Sequence, residues 1–131
     1  MACAAKLARP ERDVVAVVGD GTFGFHAFEL DTALRAGLPF LTVVGNDGRW
    51  NAEHQLQIQQ YGAQRTISCE LRPSRYDRVV EALGGHGEFV EAPEDLEPAI
   101  ARAMKSGRPA CVNAVIDGVA APTYRATAPS H

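Results

Sequence analysis

Two short acidic turns constrain this chain more than anything else in it. Gly19-Asp20-Gly21 closes the apolar run Val14-Val15-Ala16-Val17-Val18, and Asn46-Asp47-Gly48 closes Phe40-Leu41-Thr42-Val43-Val44. Continuous β-branched runs of this length suit strands buried on both faces, as in a parallel sheet covered by helices. Between them Ala27, Leu30, Ala33 and Leu34 recur at helical spacing from about His26 to Ala36, and Gly37 followed by Leu38-Pro39 supplies the stop. Strand, helix and strand in that order put both aspartates at the same carboxyl edge of one sheet. Open α/β sheets bind ligands at that edge.

The remainder of the chain continues the alternation after an irregular stretch. Residues 48–73, with Trp50, Gln55, Gln57, Gln59, Gln60 and Tyr61-Gly62, show no clean period and read as a long functional loop with room for one short helix. Ser74 is placed as an N-cap, with Asp77 three residues on; Tyr76, Val79, Val80 and Leu83 then form an apolar face that Gly84-Gly85 ends. Glu88 to Glu91 reads as a short strand. Leu96, Ile100, Ala103 and Met104 mark a helix with acidic residues in its first turn and Gly107 beyond its end. Ala110 to Ile116 is the last strand. Residues 1–118 are expected to form one α/β domain, a parallel sheet flanked by helices, and residues 119–131, rich in Ala, Pro and Thr, a poorly ordered tail.

Composition removes several classes of function. With 131 residues, 46% of them hydrophobic, the chain is long enough for one core. The net charge is −3 and the arginines are scattered, so no basic stripe offers a footprint for nucleic acid. No apolar run approaches membrane-spanning length and the first residues lack the pattern of a secretory leader, so no membrane partner is expected and the chain reads as cytoplasmic. Cys3, Cys69 and Cys111 are too few and too dispersed for a disulfide framework or a CxxC metal site, and they read as free or buried thiols.

The chemistry of the two turns is that of a hard cation bridging to phosphate. Gly21 lets the backbone approach a ligand closely, and the N–H groups of Gly21, Thr22 and Phe23 form an anion-binding nest. Asp20 would repel a phosphate in that nest unless a cation lay between them, and magnesium commonly takes one or two carboxylates plus substrate phosphates. Alone, Gly-Asp-Gly reads first as a simple turn, since Asp-Gly is a common turn pair.

Taken together, Val18-Gly19-Asp20-Gly21-Thr22-Phe23-Gly24-Phe25, the helix with Glu29-Leu30, then Leu38-Pro39 and Val43-Val44-Gly45-Asn46-Asp47 resemble the diphosphate-binding domain of thiamine-diphosphate enzymes. That group contains acetolactate synthase, 2-hydroxyacyl-CoA lyase, oxalyl-CoA decarboxylase and benzoylformate decarboxylase. The resemblance covers roughly residues 1–118 and implies a Rossmann-like three-layer fold. It implies that thiamine diphosphate and magnesium bind here, with metal ligands from the Asp20 carboxylate, the Asp47 side chain and the Arg49 main-chain carbonyl. It further implies that Gly19, Gly21, Thr22 and Phe23 cradle the diphosphate, that Asn46 orients the second turn, and that Trp50 stands beside the cofactor and substrate pocket. The family pattern ends in Asn-Asn; here the second position is Asp47, which adds a negative charge beside an anionic ligand.

The same resemblance implies what lies elsewhere. The glutamate that activates the cofactor comes from a separate pyrimidine-binding domain, across a subunit boundary, so the expected partner is a second copy of the chain or a pyrimidine-domain chain. Ala2 to Arg9 reads as the end of a helix, and the chain as a carboxyl-terminal piece, inactive alone, with exposed apolar surface where other domains would pack. The reaction implied makes or breaks a carbon–carbon bond next to a carbonyl. The competing reading is a non-catalytic Rossmann-like binding or assembly module. Glu29 reads as a solvated carboxylate, and His26, His54 and His86 lack the spacing of a metal site.

Overall fold

The computed structural model describes residues 1–120. Four parallel strands, β1 (Val15–Gly19), β2 (Leu41–Asn46), β3 (His86–Val90) and β4 (Ala110–Val115), form one sheet in the order β1-β2-β4-β3. Register is continuous across it: Val15 pairs with Leu41, Leu41 with Ala110, and Ala110 with His86. Six α-helices accompany them: α1 (Ala2–Ala8), α2 (Asp20–His26), α3 (Glu29–Arg35), α4 (Asn51–Tyr61), α5 (Tyr76–Leu83) and α6 (Leu96–Lys105). This is the expected α/β architecture.

Alternation along the strands builds two cores. On one face Phe23, Leu30, Ala33, Val44, Val80 and Cys111 pack together, joining α2, α3 and α5 to the sheet, with Ala2 and Cys3 of α1 at the margin. On the other, Leu41, Val90, Val112 and Ala114 pack against Ala99 and Ala103 of α6. Helices on both faces cover a purely parallel sheet, as such sheets require. Burial pushes the Cys111 thiol up to about 12, so it stays protonated and serves the core.

Four local expectations are corrected. The run at β1 is not buried on both faces: β1 is an edge strand, and Val15 and Val17, which face the α6 side through their pairing with Leu41 and Val43, are exposed, Val17 by 76%. Helix α6 packs on β2, β3 and β4 and leaves Val15 and Val17 of β1 uncovered. Secondly, the helix after β1 begins at Asp20 itself and is broken at Ala27–Phe28 into α2 and α3. Thirdly, residues 51–61 are a three-turn helix, longer than the one short helix allowed in that stretch; α4 buries no residue, so no apolar face could announce it. Lastly, Ser74 does not cap α5, whose N-cap position is Arg75, with no side-chain cap bond. Residues 121–131 of the expected tail lie outside the described residues; Val119 is joined to α4 through the Asn51 side-chain amide, which donates to its carbonyl at 2.8 Å.

Candidate functional site

Parallel strands place β1 and β2 side by side, so the turns that follow them meet. Gly19, Asp20, Thr22, Asp47, Arg49 and Trp50 all border one cavity of about 200 Å³ at the carboxyl edge. Asp20 is the first residue of α2 and 2% exposed. Its Oδ1 accepts the Gly21 N–H at 2.9 Å, while its Oδ2, among the described residues, is buried without a hydrogen-bond partner. An orphaned carboxylate oxygen is costly to bury, of order 1–3 kcal/mol or more, and is the kind of atom a ligand completes. Burial raises the Asp20 pKa; the Gly21 N–H opposes this, the Asp47 charge adds to it, and the net direction is up. A cation between Asp20 and Asp47 would oppose both upward effects by favouring the ionised carboxylates.

The second turn is built so that its backbone is fixed from two sides. Asp47 Oδ1 accepts the Arg49 N–H at 3.1 Å, Asn46 Oδ1 accepts the Gly48 N–H at 3.2 Å, and Gly48 takes φ +66°, a conformation side chains resist. On the outer side Leu71 N–H donates to the Gly48 carbonyl at 2.7 Å and Trp50 N–H to the Cys69 carbonyl at 2.8 Å, forming an antiparallel bridge between Arg49 and Glu70. In such a pair the N–H and C=O of Arg49 itself turn away from Glu70. The Arg49 carbonyl is thereby turned away from the 69–71 segment.

Not every expected site residue faces the cavity. Gly21 does border it, but its N–H is engaged by Asp20 and its Cα lies under the Trp50 ring: a Cβ there would sit 2.7 Å from the ring. Trp50 also meets Phe25, with ring centroids 4.9 Å apart. The side chain of Phe23 is in the core, edge-on to Tyr76 at 5.2 Å. Thr22 is exposed, and its N–H, in the first turn of the helix, has no acceptor one turn back, whereas the Phe23 N–H opens the helix ladder by donating to the carbonyl of the N-cap residue Gly19. Asn46 points into the protein, towards Ser74 and Asn113.

Sequence reasoning missed Asn51, Glu53 and Ile116, which complete the cavity wall. Asn51 and Glu53 hid in the segment without period. It also missed the buried pair Asp77 and Asn113, 2% and 0% exposed. Asn113, the one amide in an otherwise apolar strand run, was the available signal. Asp77 is held by Arg75, with Nη2 to Oδ2 at 2.6 Å, and Arg75 lies 4.0 Å from the Phe89 ring.

Burial alone would raise the Asp77 pKa, but the bonds from Arg75 and Asn113 outweigh it and hold the carboxyl below its ordinary 3.8. Arg102 first, then His86, likewise holds Glu88 below 4.5. Folded-state values below the unfolded ones mean that both contributions are complete above the unfolded pKa and disappear as pH falls through the folded value. Urea unfolding should therefore show stability falling from about pH 4 downward, with a shallower acid limb in Asp77→Asn. An identical limb in the variant would refute the assignment.

Among the described residues no three His, Cys, Asp or Glu side chains cluster to hold a metal, and no helix is long and apolar enough to cross a membrane. Two carboxylates and a carbonyl suit magnesium only when phosphate oxygens or waters complete its shell.

Comparison with known proteins agrees with this geometry. A family model described as thiamine pyrophosphate enzyme, C-terminal TPP binding domain, matches residues 1–114. The chain is 50% identical over 117 residues to a probable acetolactate synthase of Mycobacterium bovis, covering 88% of this chain and 21% of that protein. It is 34% identical over 118 residues to a 2-hydroxyacyl-CoA lyase of Oryza sativa subsp. japonica, covering 87% and 20% respectively. A solved thiamine diphosphate-dependent 4-hydroxybenzoylformate decarboxylase from Rhodococcus jostii RHA1 has the same fold, with a TM-score of 0.81 at 22% identity over 88% of this chain and 22% of that one. The chain belongs to the C-terminal TPP-binding domain family and spans about a fifth of the length of the relatives it matches.

Proposed function

We propose that this member of the C-terminal TPP-binding domain family holds the magnesium-diphosphate end of thiamine diphosphate between its two acidic turns. The observation that carries the reading is the buried, unpartnered Oδ2 of Asp20 beside a second carboxylate on the neighbouring turn. Asp20 and Asp47 would hold the metal with the Arg49 carbonyl. Gly19 and the N–H and hydroxyl of Thr22 would receive the diphosphate, and Phe23 would hold the start of α2 against the core. Gly21 would serve by admitting the Trp50 ring, and Asn46 by orienting the second turn.

When bound, thiamine diphosphate supplies a carbon nucleophile and an electron sink for bonds next to a carbonyl. This chain's residues anchor and orient: Asp20 and Asp47 would hold the cation whose charge offsets that of the diphosphate, and Trp50, backed by Phe25, would close one side of the mouth. The enzyme would act on a 2-keto acid or 2-hydroxyacyl substrate, in the manner of acetolactate synthase. The higher identity to a probable acetolactate synthase than to a 2-hydroxyacyl-CoA lyase supports that branch. The activating glutamate would come from a pyrimidine-binding partner, as a second copy or a separate chain, in the cytoplasm.

Asp47→Asn, which restores the family's usual residue, should retain magnesium-dependent binding of thiamine diphosphate. It keeps a side-chain oxygen for the metal and removes a charge that raises the pKa of Asp20. Calorimetric titration would test it, and complete loss of binding would show that the second carboxylate is indispensable.

A further inference from the structure

The hydrogen bonds behind the second turn run in one direction. The Asp77 carboxylate can only accept. Asn113 Nδ2 therefore faces it, donating to Asp77 Oδ1 and to the Ser74 carbonyl, each at 3.1 Å, which uses both of its hydrogens. That leaves Asn113 Oδ1 as the acceptor for Asn46 Nδ2 at 3.0 Å. The second hydrogen of Asn46 Nδ2 goes to the Ser74 carbonyl at 2.9 Å. Only then is Asn46 Oδ1 free to accept the Gly48 N–H of the turn.

Turning the Asn113 amide over would set its oxygen against the Asp77 carboxylate and the Ser74 carbonyl, acceptor against acceptor. Asn46 would then face a donor with its own donor and would have to turn as well, withdrawing its oxygen from Gly48. Asp77, Asn113 and Asn46 are all buried, so water is not at hand to repair a reversed member. Arg75 keeps the far oxygen of Asp77 occupied.

We propose that Asp77 is a positioning residue: through Asn113 and Asn46 its carboxylate fixes the orientation of two buried amides and so sets the conformation of the Asn46-Asp47-Gly48 turn. Its consequence for metal and diphosphate affinity rests on the cofactor reading above; its effect on the turn does not. Neither Asp77 nor Asn113 borders the cavity, so they act at a distance from any ligand.

The test compares Asp77→Asn, nearly the same shape but able to donate, with Val80→Ala. The latter empties core space on the same helix without touching the relay. In the cofactor-free chain, amide hydrogen exchange at Gly48 should quicken at least about fivefold in Asp77→Asn, the loss of one buried hydrogen bond. It should match wild type in Val80→Ala once global stability is subtracted. Should Asp77→Asn fail to fold, Asn113→Ala cuts the same relay while keeping the Arg75–Asp77 pair. Unchanged Gly48 exchange in the relay variant that folds, or an equal change in Val80→Ala, would overturn the proposal. With magnesium and thiamine diphosphate, affinity should weaken about tenfold in the relay variant, as for other residues that orient ligands. If wild type binds and the relay variant binds equally well, the relay does not serve the ligand. If wild type itself does not bind while Gly48 exchange responds as expected, the cofactor reading fails and the relay stands.

Discussion

Asp20→Ala should abolish magnesium-dependent binding of thiamine diphosphate, weakening it at least about hundredfold, or about 2.8 kcal/mol, while the fold stays intact. Two effects on stability nearly cancel. The substitution removes the Gly21 N–H bond to Oδ1 and an acidic side chain from the first turn of α2, each worth roughly 1 kcal/mol or less. It also removes a buried carboxylate with one oxygen unpartnered, which costs about 1–3 kcal/mol or more to keep. The thermal midpoint should therefore stay within a few degrees of wild type. Calorimetry and circular dichroism on the same samples would read both halves. Unfolding of the variant would show that Asp20 serves the core; undiminished binding would show that it does not serve the ligand.

Gly87→Ala should be the most destabilising of the single-methyl changes considered. A Cβ there would press on the backbone of Asp77, 2.9 Å from its carbonyl carbon, and on Glu81 Cγ at 2.9 Å. The backbone cannot rotate aside, so α5 must lift from β3. Overpacking of this kind costs about 1–3 kcal/mol, a fall in thermal midpoint of roughly 5 °C or more. Because the displaced segment contains Asp77, Gly48 exchange should quicken as well. Gly24→Ala is the control: beyond the adjoining backbone of its own helix no atom lies within 4 Å of its Cβ, and in a helix alanine is favoured over glycine by about 1 kcal/mol. Equal midpoints for the two variants would contradict the close seating of α5 on β3.

The sheet and most of its helices were legible in the sequence because the physics that forms them is local and periodic. Val14 to Val18 and Phe40 to Val44 announce strands, and Val80 and Ala103 lie on the faces their spacing indicates. What the period cannot report is position within the sheet. Val17 has the composition of an interior strand yet faces outward at an edge that α6 does not cover. Helix α4 was hidden for the opposite reason: it buries nothing, so its glutamines follow no face.

At the site, the turn residues were legible from Asp-Gly chemistry and the resemblance it led to. Their supports were not. The Asn46 amide, Asn113 and Asp77 lie far apart in sequence, and only the parallel pairing of β2 and β4 with α5 above them brings the three together. The seat that Gly21 offers to Trp50 likewise depends on a ring 29 positions away.

The most direct test is a titration of magnesium and thiamine diphosphate into the isotopically labelled chain, followed through its backbone amide resonances, which detects weak binding and locates it. The account predicts saturable shifts confined to Gly19–Phe23 and Asn46–Trp50, erased by chelator and absent in Asp20→Ala. Shifts elsewhere, shifts indifferent to chelator, or no shift at saturating ligand would contradict it.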